Sequence, residues 1–348
     1  MGDEVLEFKV VEESGVKDHY ERAVTVTSVT SPYRIKALIY QCPLNVDWDG
    51  SARAYGVDRP DAPPQKFPLQ KGLNAHEKGQ DGLFKSGKGG DGTWSGVYSL
   101  NESNARYYLH HDPKKNFTKL GAKPEDRLKF LEQFIDKRFQ DGNGTFPVVQ
   151  ITDDAPAPGY YVSMCPAVAD PERMSYDQRK YWDAATIAYG ALSAKLGGMG
   201  VKIGDFGLII RKSTGKSLGF FFGDAAGKTS YKVGECSGFV KTTLAPNPNE
   251  EDQTFSFLVF PGSGVGYSKP QAPQFIDSKV RWMIGAFSRH ANARELAERL
   301  ALGAAFGKTR AGMTSAQSLD FQNIKKAFMH DWGWDVDMAG GVPVDDSE

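Results

Sequence analysis

The pattern of apolar and polar residues predicts a strand-rich part before about residue 270 and a helical part after it. Alternation in VLEFKVV, AVTVTSV and YRIKALIY predicts two or three strands within residues 4–40. Beyond residue 145, short apolar runs bounded by Gly, Pro or Asp predict six more strands: FPVVQI, APGYYVSM, ATIAYGAL, DFGLIIR, LGFFFGDA and FSFLVFPG. Many short strands at these intervals are typical of a compact barrel or sandwich.

Helical spacing of apolar residues appears in three places. Residues 126–139 form one amphipathic pattern, with acidic residues in the first turn and basic residues in the last. ARELAERLALGAAF and LDFQNIKKAFMHDW show the same period near the C-terminus. We expect these C-terminal helices to pack on the outside of the core through their apolar stripes, which contain Leu296, Leu300, Phe321, Ile324 and Phe328.

Periodicity is lost from about residue 56 to residue 92, where the sequence is rich in Gly, Pro, Lys and Asp. This segment opens a stretch that runs to about residue 145. We interpret this stretch as a long surface insertion. The predicted organisation is therefore a core over residues 1–270 with the insertion at about 56–145, a helical extension over 271–335, and a flexible tail over 336–348.

Composition narrows the possible functions. The 42 Lys and Arg nearly balance the 43 Asp and Glu, so no overall charge favours a nucleic acid partner or an anionic membrane. No apolar run is long enough for a membrane span. The acidic start resembles no Sec signal, so we expect a cytoplasmic protein or export by another route.

Motifs for cofactors and metals are incomplete. The GKT triplets at residues 227–229 and 307–309 each lack the Gly that a Walker loop needs six residues before the Lys. The six His show no metal-binding spacing, and the 3 Cys form neither a CxxC pair nor a disulfide framework. We therefore expect no organic cofactor and no metal.

Two carboxylates stand where polysaccharide hydrolysis could use them. Asp224 follows the apolar run LGFFF, and Glu235 follows a Gly-containing turn 11 positions later. Glycoside hydrolysis uses one carboxylic acid to protonate the departing oxygen and one carboxylate to activate water or attack the sugar. Spacing alone favours a simpler explanation, in which Asp224 caps a turn and Glu235 occupies a solvated strand position.

The sequence around these residues resembles a known family. FFFGDAAGKTSYKVGECS is similar to the pattern of the chitosanases of glycoside hydrolase family 75, and FSFLVFPGSG resembles the strand that follows it there. Asn45-Val-Asp-Trp-Asp-Gly50 resembles the Asp-rich opening of that family, and APGYYVS and VKIGDFGLIIRK resemble the strands between. The resemblance covers roughly residues 42–55 and 147–266.

This resemblance implies a set of roles. It identifies Asp224 and Glu235 as the catalytic pair of an inverting endo-hydrolase, with Glu235 as general acid and Asp224 as general base. Asp47 and Asp49 are candidates for binding the ammonium groups of glucosamine, although the same residues also suit a plain turn. Trp48 and Tyr55 are candidate stacking platforms for a sugar ring.

The expected fold is a β-rich α+β protein with a barrel-like core, for which the double-psi β-barrel is one candidate. The insertion and the C-terminal helices have no counterpart in the family pattern. Because of these differences, the resemblance does not determine which glycan is the substrate. One alternative is a bacterial cell-wall glycan hydrolase that acts as an antibacterial toxin, and another is a catalytically silent carbohydrate-binding barrel. The C-terminal helices would then suit a partner such as a secretion carrier or an immunity protein.

Overall fold

The computed structural model describes a set of segments between residues 9 and 332. These are residues 9–30, 35–56, 72–73, 96–100, 135–136, 146–151, 154–173, 175–226, 230–264, 273–288, 300–301 and 314–332. The chain divides into two compact units: Met1–Asp47 with Ala185–Glu348, and Trp48–Ala184. The predicted division at about residue 270 stays a prediction, and most of the predicted insertion at 56–145 lies outside the described residues.

A nine-stranded sheet forms the first unit. Its strands in chain order are β1 (Lys9–Lys17), β2 (Ala23–Thr30), β3 (Lys36–Cys42), β4 (Asn45–Asp47), β7 (Tyr189–Leu192), β8 (Phe206–Arg211), β9 (Ser217–Ala225), β10 (Glu235–Ser237) and β11 (Phe255–Phe260). The intervening strands β5 (Ser99–Leu100) and β6 (Phe146–Pro147) belong to the second unit. Across the sheet the order is β1-β2-β3-β11-β8-β9-β7-β10-β4. The sheet curls into a half-barrel, so the prediction of a β-rich α+β fold with a barrel-like core is confirmed. The double-psi connection stays a prediction.

The centre of this sheet is apolar on both faces. Every residue of β8 and of β11 is buried, and the two strands pair antiparallel along their whole length. Continuous apolar runs such as FGLIIR and FSFLVF suit strands that are covered on both sides. Aromatic rings fill the interior: Phe257 stacks on Tyr40 at 4.7 Å between ring centroids and meets Phe220 edge-on at 6.2 Å.

In the described residues, four α-helices accompany the strands: α1 (Ala194–Gly198), α2 (Gly238–Leu244), α3 (Pro273–Ser288) and α4 (Ser315–His330). Thr314 caps α4 through a capping box with Gln317, in which each side chain bonds the other residue's backbone N–H. The sequence had predicted α4 from its apolar stripe. α1 and α2 were missed because they are too short to show a period.

The C-terminal helical residues pack on the sheet of their own unit. Of the predicted stripe, the four members that the structure describes, Leu300, Phe321, Ile324 and Phe328, are buried. The carbonyl of Leu300 accepts hydrogen bonds from Gln41 at 2.5 Å and from Ser256 at 2.7 Å. The predicted stripe therefore faces the core at these positions, whereas Leu296 lies outside the described residues. A partner for these helices stays a prediction.

The second unit is organised around β5 (Ser99–Leu100), β6 (Phe146–Pro147) and isolated bridges. Ile135 forms an antiparallel β-bridge with Val148. The prediction of a helix over residues 126–139 is therefore wrong at Ile135, because this residue pairs with an extended segment instead. None of the described helices in either unit combines the length and apolar character that a membrane crossing needs.

Candidate active site

Asp224 lies near the C-terminal end of β9, and the backbone before it is irregular. β7 and β9 run parallel, with Gly190 opposite Phe222 but Ala191 opposite Asp224, so Gly223 is an extra residue on β9. A Cβ on Gly223 would lie 2.8 Å from the Cβ of Tyr189, closer than side chains tolerate. The Gly-Asp pair of the sequence motif thus corresponds to a bulge that only glycine fits. The Asp224 side chain is buried, and its Oδ1 accepts the backbone N–H of Ala225 at 2.7 Å.

Glu235 begins β10, and a glycine precedes it as well. Gly234 has φ +95°, a left-handed conformation, and a Cβ there would lie 2.4 Å from the Pro43 carbonyl oxygen. Glu235 is half-buried. β10 pairs parallel with β4, placing Glu235 opposite Asn45 and Ser237 opposite Asp47.

A buried serine fixes β10 to β7. The two strands share a single register pair, Cys236 with Gly190. The Ser237 hydroxyl adds to it by accepting the Tyr189 N–H at 3.2 Å and donating to the Ile187 carbonyl at 2.7 Å. The sequence analysis did not predict this role of Ser237. The signal available in the sequence was a small polar residue two positions after Glu235, in Gly234-Glu-Cys-Ser237.

The register places the two carboxylates in one row of the sheet. Asp224 lies opposite Ala191 on one side of β7. β10 runs antiparallel to β7 and pairs Cys236 with Gly190. Continuing this register by one residue puts Glu235 opposite Ala191 on the other side of β7. Residues in one such row point to the same face, so Asp224 and Glu235 share a face of the sheet with the small Ala191 between them.

Asp47 also reaches this region. Its carboxylate oxygen lies within 4.8 Å of that of Asp224. β9 and β4 are three strand spacings apart, which is about 14 Å in a flat sheet, too far for two Asp side chains to bridge. The approach therefore depends on the curl at this end of the sheet, a relation that residue spacing cannot reveal.

Two carboxylates this close attract positive charge. When both are ionised they repel each other, and a proton or a cation between them relieves the repulsion. A substrate ammonium group fits this requirement, and a hard metal ion that prefers oxygen ligands would fit it chemically as well. In the described part of this unit, Asp47 and Asp224 are therefore the residues that could hold such a cation.

Cys236 lies directly after Glu235 but is not suited to nucleophilic chemistry. Its side chain is fully buried, and burial raises the pKa of its thiol well above the ordinary value. Burial also raises the pKa of Cys42. A thiol that stays protonated and inaccessible is a poor nucleophile, so both residues fill the core.

The remaining predicted site residues belong to the second unit. Asp49 is buried, and its Oδ1 accepts the Tyr55 hydroxyl at 2.5 Å. Tyr55 is half-buried and packs against the apolar cluster of Val97, Val149 and Tyr161. Trp48 is half-buried. Sugar binding by these three residues stays a prediction.

The turn that carries Asp49 is held by a polar network that the sequence did not predict. Gly50 donates its N–H to Ser163 Oγ at 2.9 Å, and Gln178 Nε2 donates to the Gly50 carbonyl at 2.8 Å. Gln178 also accepts the Ser163 N–H at 2.7 Å. All three residues are buried, and such satisfied networks rigidify the backbone they bond.

No protein-family model matches the chain, and a search of curated proteins returned no match. The resemblance to family 75 chitosanases therefore rests on the motifs alone.

Proposed function

We propose that this chain hydrolyses an amino-sugar polysaccharide, with Asp224 and Glu235 as its carboxylate pair. The register of the sheet supports this most directly. Asp224 lies opposite Ala191, and continuing the Cys236–Gly190 register by one position puts Glu235 on the other side of Ala191. In this proposal a glycosidic bond lies above Ala191, between the two acids.

The spacing of the strands fits an inverting reaction. Two strand spacings separate β9 from β10, which is about 10 Å between backbones in a flat sheet and less where the sheet curls. Inverting glycosidases hold their carboxyl groups roughly 6.5–9.5 Å apart, which leaves room for a water molecule. In the proposed reaction Asp224 takes a proton from this water, and Glu235 protonates the departing glycosidic oxygen.

Charge favours an amino sugar over a neutral one. The close pair of Asp47 and Asp224 would bind an ammonium group through charge-assisted hydrogen bonds. Asp47→Asn should therefore raise the KM for chitosan more than the KM for acetylated chitin, and it should weaken the salt dependence of chitosan cleavage. If Asp47→Asn changes the KM for chitosan and the KM for acetylated chitin equally, Asp47 does not bind the ammonium group.

Release of reducing ends from chitosan, chitin and purified peptidoglycan, assayed side by side, tests the activity and its substrate. Asp224→Asn and Glu235→Gln should each lower kcat by at least about 100-fold, because each removes an acid or base that takes part in proton transfer. Thermal unfolding should show that both variants remain folded.

Matched controls are available in the same unit. Asp320→Asn and Glu250→Gln make the same chemical changes at ion-paired carboxylates whose partners are Lys212 and Arg211. These controls should keep the parent rate. Activity on peptidoglycan alone would favour the cell-wall alternative, and binding without cleavage of any substrate would favour the silent barrel.

A further inference from the structure

The turn between β1 and β2 contains a residue in an unusual conformation. Glu21 has φ +64°, the left-handed region that glycine adopts readily and other residues avoid. The turn itself is held by Asp18, whose Oδ1 accepts the N–H groups of Tyr20 at 2.9 Å and Arg22 at 3.0 Å. A glycine would relax position 21, but it would lack the side-chain contacts that Glu21 makes here.

That side chain forms a charged cluster with the segment leading into Glu235. Glu21 pairs with Lys232 at 2.7 Å and with Lys17 at 3.1 Å, and it accepts the Tyr231 hydroxyl at 3.3 Å. Hydrogen bonds from Lys232 and Lys17 lower the pKa of Glu21 to about 2, so the carboxylate stays ionised at neutral pH.

Backbone contacts fix the two halves of this cluster together. Lys17 donates its N–H to the Tyr231 carbonyl at 3.1 Å, and Val233 donates to the Lys17 carbonyl at 2.9 Å. The same segment continues through Gly234 to Glu235. Lys232 is therefore held at a constant place three residues before the proposed general acid.

Lys232 interacts electrostatically with Glu235. Its hydrogen bond to Glu21 is the main cause that raises the pKa of Lys232, and the charge of Glu235 contributes in the same direction. Lys232 thus remains a cation, three positions before the residue that would protonate the leaving group of a cationic sugar. Unpaired, this charge would repel the substrate.

We propose that Glu21 determines specificity by neutralising Lys232, which keeps the approach to Glu235 attractive to ammonium-bearing sugars. This inference rests on the proposed function. Glu21 acts through Lys232 and does not touch the substrate. Lys17 shares the Glu21 carboxylate with Lys232. The charges of Lys17, Asp18, Arg22 and Asp252 and the nearby His19 stay the same when Glu21 alone is changed.

The test compares cationic and neutral substrates. In Glu21→Gln, the KM for glucosamine oligomers should rise roughly two- to fivefold at low ionic strength, because one uncompensated charge acts over several ångströms of solvent. The KM for N-acetylglucosamine oligomers should stay at the parent value, and kcat should stay constant for both. In high salt the difference between the substrates should shrink.

A second change separates charge from structure. In the double variant Glu21→Gln with Lys232→Met, the KM for glucosamine oligomers should return to the parent value or below. Glu21→Gly should behave like Glu21→Gln in KM even though it relaxes the backbone, and Glu21→Asp should recover part of the parent behaviour. A structural role would instead make every substitution at Glu21 alter both substrates, with no recovery in the double variant.

The outcomes distinguish the two proposals. If the parent protein cleaves glucosamine oligomers and Glu21→Gln leaves their KM unchanged at low salt, the inference about Glu21 is overturned and the proposed function stands. If the parent protein neither cleaves nor binds these oligomers by calorimetry, the proposed function fails, and the role of Glu21 fails with it.

Discussion

The centre of the large sheet and its carboxylate end are built in opposite ways. β11 and β8 share six register pairs and bury every residue, whereas β10 shares one pair with β7 and carries a half-buried glutamate. The centre gains its order from apolar packing along regular strands. The end gains it from single features: a bulge at Gly223, a left-handed Gly234 and the Ser237 hydroxyl. The strands that contribute most apolar packing, β8 and β11, therefore differ from the strands that carry the proposed catalytic carboxylates, β9 and β10, within one sheet.

The strongest test of this division removes an aromatic ring from the centre. Phe257→Ala should lower the free energy of unfolding by about 3–5 kcal/mol, because it leaves a cavity beside Tyr40 and Phe220. Urea unfolding measures the loss. The kcat of the folded fraction should stay near the parent value. A kcat loss as large as that of Asp224→Asn would show that the central strands and the proposed catalytic residues are not independent.

At the carboxylate end of the sheet, we expect a substitution of Gly234 to reduce stability less than Phe257→Ala does and to reduce activity as well. Gly234→Ala should cost about 1–3 kcal/mol, because the new side chain would be strained at φ +95° and would meet the Pro43 carbonyl oxygen. It should also lower kcat by displacing Glu235. Chemical unfolding and reducing-end release measure the two effects.

Gly198 offers the matched control for this change. It lies in α1, and nothing is within 4 Å of the position its Cβ would take. Gly198→Ala should keep the parent activity and raise the unfolding free energy by up to about 1 kcal/mol. If Gly234→Ala behaves like this control, the backbone of Gly234 does not position Glu235.

The smallest effect concerns pH and an ion pair at the end of the central strand β8. Arg211 pairs with Glu250 at 2.8 Å and lowers the pKa of Glu250 from 4.5 to about 2. A lowered folded-state pKa stabilises the protein above the unfolded-state value, and this stabilisation is lost as pH falls from about 5 toward 2. Glu250→Gln should therefore lower stability slightly at pH 7 and reduce its decline in acid. Thermal unfolding across this pH range checks the slope, and a parallel pH curve for the variant would contradict the assignment.

The sequence predicted the regular parts of the fold well because their patterns are local. β2, β3, β8, β9 and β11 appear in it as alternating or continuous apolar runs, and α4 as an apolar stripe. β10 and β4 have three residues each, too few for any period. Their existence depends on pairing with each other across the chain.

The candidate site was predicted only in its residues and not in its geometry. Asp224 and Glu235 were proposed because each follows a glycine in a recognisable motif, and the bulge and the left-handed turn give the physical reason for those glycines. The approach of Asp47 to Asp224 arises from the curl of the sheet. Lys232 and Glu21 were not identified, since an ion pair between distant surface residues leaves no pattern in one sequence.

The pairing of β3 with β11 also bears on synthesis. Ile39 of β3 lies opposite Leu258, which the ribosome adds on the order of 200 residues later. At roughly 5–20 residues per second, one edge of β3 waits some tens of seconds for that partner. KALIYQC is apolar and rich in strand-forming residues, the kind of segment that aggregates when its edge is exposed. Production of soluble protein should therefore respond to chaperone supply and to slower growth at low temperature.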